Sequence, residues 1–171
     1  MMLHKLHLLF VFTLFFSATV FAQSPVKMGH MNLGNLLESL TETKQANIAL
    51  EAYAARYVAK GDSLGKVFEL AASEFSKAYQ GGTLTEVQAR EQYTTLQKQQ
   101  QDLQAFEDQA QQEIEKKRGE MLQPILDKVN TAIKAVAKEN GYLMIFDTST
   151  GAALYAQESE DVSALVLKKL Q

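Results

Sequence analysis

The stretch LGKVFELAASEFSKAYQGGT, residues 64–83, contains the pattern that decides the fold. Its apolar residues recur at intervals of three and four, which places them on one face of a helix; they are Leu64, Phe68, Ala71, Phe75 and Ala78. The pattern stops at Gly81 and Gly82, which can reverse a chain because glycine adopts positive φ without steric cost. The stretch therefore predicts a long helix that ends in a tight reversal.

The same spacing continues on both sides of the two glycines, from about residue 41 to residue 140. Alternating intervals of three and four are typical of a coiled-coil seam. We therefore predict a helical hairpin arm over residues 41–124, with its tip at residues 80–83. Besides the residues already named, the predicted seam contains Leu50, Ala54, Tyr57, Tyr93, Leu96, Leu103, Ala110, Ile114, Met121 and Ile125, with Gln100 and Lys117 at positions where an apolar side chain is expected.

Three local signals predict where the returning helix begins, bends and ends. Thr83 and Glu86 have the spacing of a capping box, which places the helix start near Thr83. Pro124 has no amide hydrogen and crowds the preceding turn, so a kink or a break is expected there. Gly141 follows Asn140 as a usual C-cap. The apolar stripe becomes denser after Pro124, which indicates that the arm enters a compact base at this point.

Gly61 and Gly65 lie one helical turn apart within the outgoing helix. Each costs about 1 kcal/mol relative to alanine in a helix interior, so the pair calls for an explanation. Three interpretations are open: close packing against a neighbouring helix, a hinge partway along the arm, or a break in the helix. We treat both glycines as candidate hinge residues.

The segments outside the arm, residues 23–40 and 125–171, are predicted to form a small β-rich base. Residues 25–32 alternate as a strand, and Asn32 is a suitable N-cap for the short helix that follows. A fresh cap at Thr41–Thr43 then starts the outgoing helix. Residues 142–146 are apolar on both faces, as in a strand buried on both sides. A turn at 147–151 and a second strand at 152–156 complete a predicted hairpin, and Asp161 caps a last helix.

This base is too small to bury its own sheet, because three short strands and one or two short helices rarely stand alone. Strand-to-strand association between copies of the chain would supply the missing cover. The fold class we predict is α+β: a long helical hairpin projecting from a small β body that closes into a trimeric barrel. The candidate oligomerisation residues are Val26, Met28, Leu143, Ile145 and Leu154.

Residues 1–22 are predicted to be a signal peptide that is cleaved after Ala22. Lys5 precedes an apolar run over residues 8–16, interrupted only by Thr13, and small residues then lead to the cleavage position. The run is shorter than the ~20 residues that span a bilayer, although an uncleaved anchor is the alternative. The sequence therefore predicts an exported protein without stable membrane insertion.

Composition and charge exclude several classes of function. The chain has no cysteine, and His30 is its one histidine outside the predicted signal peptide, so neither a zinc site nor a catalytic triad is expected. The formal net charge of −3 disfavours a nucleic-acid partner. No glycine loop of the phosphate-binding type is present. We predict a protein that is not an enzyme and needs no cofactor and no metal.

Aromatic residues along the arm are candidates for binding another molecule. Phe68 and Phe75 also fit the hairpin's own seam, whereas Tyr53, Tyr79 and Phe106 fit that seam less well. The arms should be marginally stable. Burying two apolar side chains per seven residues stabilises the seam by only roughly 3–6 kcal/mol, whereas ordering seven residues costs about 10 kcal/mol. The full candidate set is Tyr53, Phe68, Phe75, Tyr79, Tyr93 and Phe106.

The order of these segments resembles the Skp/OmpH family of periplasmic chaperones. The most specific part of the likeness is C-terminal: residues 138–142 (KENGY), then Phe146 and Asp147, Leu154 and Tyr155, and the last helix from Asp161 to Leu170. The resemblance implies a homotrimer in which strands join into a central barrel and three arms enclose a cavity. It also implies an ATP-independent holdase for unfolded outer-membrane proteins.

The chain departs from the better-known members of that family in the charge of its arm. Residues 60–110 carry five basic and eight acidic side chains, whereas those relatives are basic. We therefore carry over no residues for charge steering or for lipopolysaccharide binding. Two other classes remain open, an envelope adaptor that docks its coiled-coil tip onto a channel protein, and a structural spacer.

Overall fold

The structure, a computed structural model, describes residues 26–171. The predicted signal peptide, residues 1–22, lies outside this range. The fold is mostly helical, with long helices and a small two-stranded parallel sheet. In chain order its elements are strand β1 (Met28–Met31), helix α1 (Leu33–Ser39), helix α2 (Thr41–Gln80), helix α3 (Glu86–Asn140), strand β2 (Met144–Asp147), a 3-10 turn (Glu158–Glu160) and helix α4 (Ser163–Leu170).

Helices α2 and α3 form the hairpin that the apolar spacing predicts. They contain 40 and 55 residues, which at 1.5 Å per residue corresponds to about 60 Å and about 80 Å. The chain reverses just after Gln80, where Gly82 has a φ of 64°. The Gly81 amide donates to the Lys77 carbonyl at 2.9 Å, and the Thr83 hydroxyl donates to the Ala78 carbonyl at 3.0 Å. These bonds satisfy carbonyl groups that the end of α2 leaves free.

The predicted capping box at Thr83 and Glu86 is wrong by two residues. The N-cap of α3 is Thr85, whose hydroxyl oxygen accepts from the Gln88 amide at 3.3 Å, while the Gln88 side chain accepts from the Thr85 amide at 3.0 Å. Both threonines have the required spacing to a Glu or Gln. The Thr83 hydroxyl is used in the reversal, where it donates to the Ala78 carbonyl. Thr85 is therefore the residue that caps the helix.

The helices are continuous at all three positions where a break was considered. Gly61 and Gly65 lie inside α2, and Pro124 lies inside α3. The break interpretation is therefore wrong for the glycines and for the proline. A proline inside a helix frees one carbonyl, here that of Glu120. Because Glu120 is exposed, water can satisfy that carbonyl.

The two strands pair in parallel, with Met28 opposite Met144 and Met31 opposite Asp147. On the other side of β1, His30 forms an isolated bridge with Asp161, and its carbonyl accepts from the Val162 amide at 2.9 Å. The predicted second strand at residues 152–156 is wrong, because these residues are exposed and non-regular. Local turn signals favoured a hairpin, but β2 pairs instead with a strand more than a hundred residues away.

The core lies between the inner face of the sheet and three helices. Val162 and Val166 are fully enclosed where α4 meets the end of α3. From β2, the side chain of Ile145 packs against this core. The buried residues of the core are Met31, Leu36, Val129, Ala132, Val136, Val162 and Val166. This cluster fixes the lower end of the long hairpin to the sheet.

Two of the four predicted caps of the base, Asn32 and Gly141, are the capping residues of their helices. The Asn32 side chain accepts from the Asn35 amide at 2.9 Å, and Gly141 closes α3 with a φ of 71°. The Asp161 carboxylate accepts from the Ser163 amide at 2.7 Å, but Asp161 lies one residue before the N-cap of α4, which is Val162 and has no side-chain cap. The cap predicted at Thr41–Thr43 is wrong, because α2 begins at Thr41 after Leu40 with no side-chain cap.

Asp147 joins the end of β2 to the start of α1. Its carboxylate accepts from the Leu33 amide at 3.1 Å and from the Ser149 amide at 2.8 Å. Partial burial tends to raise the pKa of this carboxyl group, but the hydrogen bonds from Ser149 and Leu33 outweigh burial and lower the pKa overall. The carboxylate therefore stays ionised at neutral pH and holds α1 against the sheet.

Candidate functional site

The outer face of the sheet is apolar and largely uncovered. Because side chains alternate along a strand, Met28 and His30 of β1 share this face with Met144 and Phe146 of β2. Met144 and Phe146 are 48% and 45% exposed. Residues 142–146 were predicted to be covered on both sides, but within one chain only the inner side is covered. The outer face is thus an apolar surface without a partner in the described chain.

The predicted oligomerisation residues fall into three groups. Val26, Met28 and Leu143 are exposed at or beside the sheet. Ile145 is partly buried and faces inward, where it contacts the chain's own core. Leu154 is 99% exposed in the segment after β2. The structure therefore brings the first group to the sheet and leaves Leu154 apart from it.

Strand β2 is also an edge strand within the described residues, because β1 lies between it and the Asp161 bridge. An edge strand presents unpaired backbone N–H and C=O groups that can pair with another strand. Strand β2 thus provides the open edge, and its Met144 and Phe146 also lie on the apolar outer face. This part of the base can therefore make both backbone and side-chain contacts with a further chain.

Aromatic side chains along the hairpin form two clusters. In the lower cluster, the rings of Tyr53 and Phe106 flank that of Tyr57 at centroid distances of 5.4 and 6.1 Å. The hydroxyl groups of Tyr53 and Tyr57 are 3.2 Å apart, and this hydrogen bond raises the pKa of Tyr57. Tyr57 was assigned to the seam by its spacing, so the sequence missed its place among the candidate aromatic residues.

The upper cluster lies near the tip. The ring of Phe75 is 5.8 Å from that of Tyr79 and 6.5 Å from that of Tyr93. Tyr79 and Tyr93 are 63% and 54% exposed, whereas Phe75 is half-buried in the contact between the helices. Phe68 is half-buried separately, below this cluster. Five of the six candidate aromatic residues therefore lie in two clusters that combine packed and exposed rings.

An open groove of about 640 Å³ runs between α2 and α3 beside the lower cluster. Its apolar lining includes Tyr57 and Phe106, and Gly61 and Gly65 form part of its wall. A Cβ atom added at Gly61 would lie 3.7 Å from Phe106 Cε1, but one added at Gly65 would meet nothing within 4 Å. Gly61 thus packs against the other helix, whereas Gly65 borders open space. Neither observation tests the hinge, which stays a prediction.

The contact between helices α2 and α3 along the arm is weakly packed. Within the described part of residues 41–124, Ala110 is the one apolar side chain that is buried. Gln99, rather than the predicted Gln100, is half-buried between the helices, and its Oε1 atom is buried without a hydrogen-bond partner in the described chain. A buried carbonyl oxygen without a partner opposes folding. The seam should therefore open most easily around Gln99.

Replacing Gln99 with leucine is expected to stabilise the arm by about 1–3 kcal/mol, because it removes a buried polar atom that has no partner. Amide hydrogen exchange in residues 64–103 would measure the change as slower exchange. Gln100→Leu is the matched control, since Gln100 is exposed and a surface change of this kind shifts stability by about 0.5 kcal/mol or less. Equal slowing in the two variants would contradict the interpretation of Gln99.

His30 is the one histidine among the described residues 26–171. They contain no group of three or more His, Asp or Glu side chains placed to hold a metal ion. Among them, none of the helices is both long and apolar enough to cross a membrane. The His30 ring nitrogen Nε2 is 2.9 Å from the Gln157 carbonyl oxygen, which gives this histidine a structural contact.

Comparisons with known proteins agree with this architecture. The profile of a family described as "Outer membrane protein (OmpH-like)" matches residues 27–170. A solved structure described as a candidate outer membrane chaperone (OmpH-like) from Caulobacter crescentus CB15 is similar with a TM-score of 0.68 and 17% sequence identity, over 86% of this chain and 85% of that chain. No curated protein sequence matches the chain. At this identity the structural likeness shows the fold, while the profile match covers nearly the whole described chain.

Proposed function

Because the chain belongs to the OmpH-like family of outer membrane proteins, we propose that it is a chaperone of the periplasm. It acts as an ATP-independent holdase, binding unfolded outer-membrane proteins, which we call clients, and preventing their aggregation. It does so as a homotrimer whose arms enclose a client cavity. The proposal includes neither a catalytic step nor a cofactor. Export depends on the predicted signal peptide, residues 1–22, which is outside the described residues.

The observation that carries the proposal is the uncovered base of a long hairpin. The apolar outer face and open edge at Met144–Asp147 would remain in water in a single chain. A two-stranded sheet is marginal by itself, and joining strands from three copies would bury this face and remove the open edge. Three hairpins that start from one such barrel would project together and surround a common space.

The arms have the properties that a holdase requires. A client that forms a membrane β-barrel cannot satisfy its apolar surface in water before it inserts. The hairpin offers half-buried and exposed aromatic rings near its tip, notably Tyr79 and Tyr93. Its weakly packed seam can adjust to different segments without a large energetic cost. Loose binding of this kind allows release without nucleotide hydrolysis.

Two measurements on the mature protein, residues 23–171, test the proposal. Light scattering coupled to size exclusion is expected to give three times the monomer mass. Diluting a urea-unfolded outer-membrane β-barrel into buffer without detergent should cause aggregation, and equimolar trimer should suppress it equally with and without ATP. The same β-barrel folded in detergent is the control and should not bind. A folded monomer at micromolar concentration, or unchanged aggregation, would overturn the proposal.

A further inference from the structure

The groove beside Gly61 and Gly65 has the size and the apolar lining of a binding site. Its volume of about 640 Å³ lies within the range of about 300–1,000 Å³ that is usual for ligand pockets. Aromatic and aliphatic side chains line it, including Phe106 and Ile114. A side chain at position 65 would project into this space, since a Cβ there meets no atom within 4 Å. The missing side chain at Gly65 therefore keeps an apolar surface open.

The border of the groove is acidic. Four carboxylate residues and one lysine, Lys66, line it. Glu115 is paired with Arg118 at 3.2 Å, but the other three carboxylates have no ion-pair partner within the described residues. The Lys60 nitrogen lies 5.0 Å from the centre of the Phe106 ring, so two lysines, Lys60 and Lys66, lie at the groove against the three carboxylates without an ion-pair partner in the described chain. The carboxylate residues are Asp62, Glu69, Glu107 and Glu115.

We propose that this groove is a client subsite for segments in which an apolar side chain is flanked by lysine or arginine. The inference deepens the proposed holdase function and rests on it. The apolar side chain would occupy the space beside Gly65 and contact Phe106. The flanking cations would face Asp62, Glu69 and Glu107, so that charge complementarity selects the segment. The acidic balance of the arm thus becomes a determinant of client choice.

Three fluorescent nine-residue peptides provide the test on the mature protein. The first has a central phenylalanine flanked by two lysines on each side, the second replaces these lysines with glutamates, and the third replaces the phenylalanine with serine. Fluorescence anisotropy at low ionic strength should show the first peptide bound about tenfold more tightly than either of the others, with the charge preference reduced at high salt.

Two pairs of variants locate the site. Gly65→Leu fills the groove and should weaken binding of the phenylalanine–lysine peptide by about fivefold. Gly119→Leu is its matched control, because Gly119 also lies in a helix with no atom within 4 Å of its Cβ position. The double change Glu69→Gln and Glu107→Gln should remove most of the preference for lysine over glutamate. Glu51→Gln with Glu91→Gln, on exposed helix, should preserve it.

The possible outcomes distinguish a failure of the groove proposal from a failure of the holdase function. Equal binding of the lysine and glutamate peptides, or equal losses in Gly65→Leu and Gly119→Leu, would overturn the groove proposal. A change in trimer mass in Gly65→Leu would also overturn it, by showing that a second copy fills the groove. Circular dichroism must show unchanged helix content in every variant. Suppressed client aggregation together with unselective peptide binding would leave the holdase function standing and reject the subsite alone.

Discussion

Replacing Met144 and Phe146 together with aspartate is expected to convert the proposed trimer into monomers and to abolish the suppression of client aggregation. Both side chains lie on the outer face of β2, and each is nearly half exposed in the single chain. Covering an apolar side chain of this size contributes about 1.5–3 kcal/mol, whereas burying an unpaired carboxylate costs several kcal/mol. Three copies would each lose two such contacts, so dissociation should be complete at micromolar concentration.

The variant should remain folded, because Met144 and Phe146 face away from the core while Ile145 between them contacts it. Circular dichroism should therefore show near-native helix content in the monomer. The matched control is Val67→Asp with Leu70→Asp, which introduces two carboxylates at arm positions that are 55% and 65% exposed. That control should stay trimeric. A trimer of unchanged mass in the Met144 and Phe146 variant would show that this face is not the interface.

The helical part of the fold was predictable because its signals are local. Apolar side chains at intervals of three and four define the arm, and the reversal follows directly from Gly81 and Gly82. The C-cap at Gly141 requires a residue that accepts positive φ, and its φ is indeed 71°. Of the two alternatives predicted at Pro124, the break is wrong, because α3 continues through the proline and the exposed Glu120 leaves its freed carbonyl open to water; the kink stays a prediction.

The sheet was harder to predict because its pairing is not local. The turn at residues 147–151 follows an apolar strand, and such a pattern favours a hairpin. In the fold, the partner of β2 is β1, which precedes it by more than a hundred residues and runs in the same direction. Sequence periodicity identifies strands but carries no information on which strand lies beside which. The strand expected at residues 152–156 was therefore inferred only from its position just after the turn.

The candidate site was predictable in its components and not in its arrangement. The aromatic residues and both glycines could be selected from the sequence by residue type. Their grouping depends on the axial register of α2 against α3, which places Phe106 beside Tyr57 and Gly61. The same register puts Gln99, and not Gln100, into the contact. A shift of one residue along the helix is beyond what an apolar pattern interrupted by glutamine can determine.

The other large effect is expected at Gly29, in the middle of β1. A Cβ atom at this position would lie 2.9 Å from Val162 Cγ1 and 3.1 Å from Tyr142 Cε1. Val162 is fully buried and cannot move aside easily. Gly29→Ala should therefore destabilise the base by about 1–3 kcal/mol through overpacking. Urea unfolding at one fixed protein concentration would measure the loss, since the stability of an oligomer depends on concentration.

A double-mutant cycle with Val162→Ala tests the cause of that loss. Val162→Ala alone should destabilise the base by about 1–3 kcal/mol, because it leaves a cavity in the core. In the double variant the new methyl group at position 29 occupies space vacated by Val162 Cγ1, so the total loss should be smaller than the sum by about 0.5–3 kcal/mol. Gly119→Ala, in exposed helix, controls for backbone effects and should not destabilise. Strict additivity between Gly29→Ala and Val162→Ala would mean that the contact with Val162 is not what requires glycine in β1, and the close approach of the sheet to α4 would need another explanation.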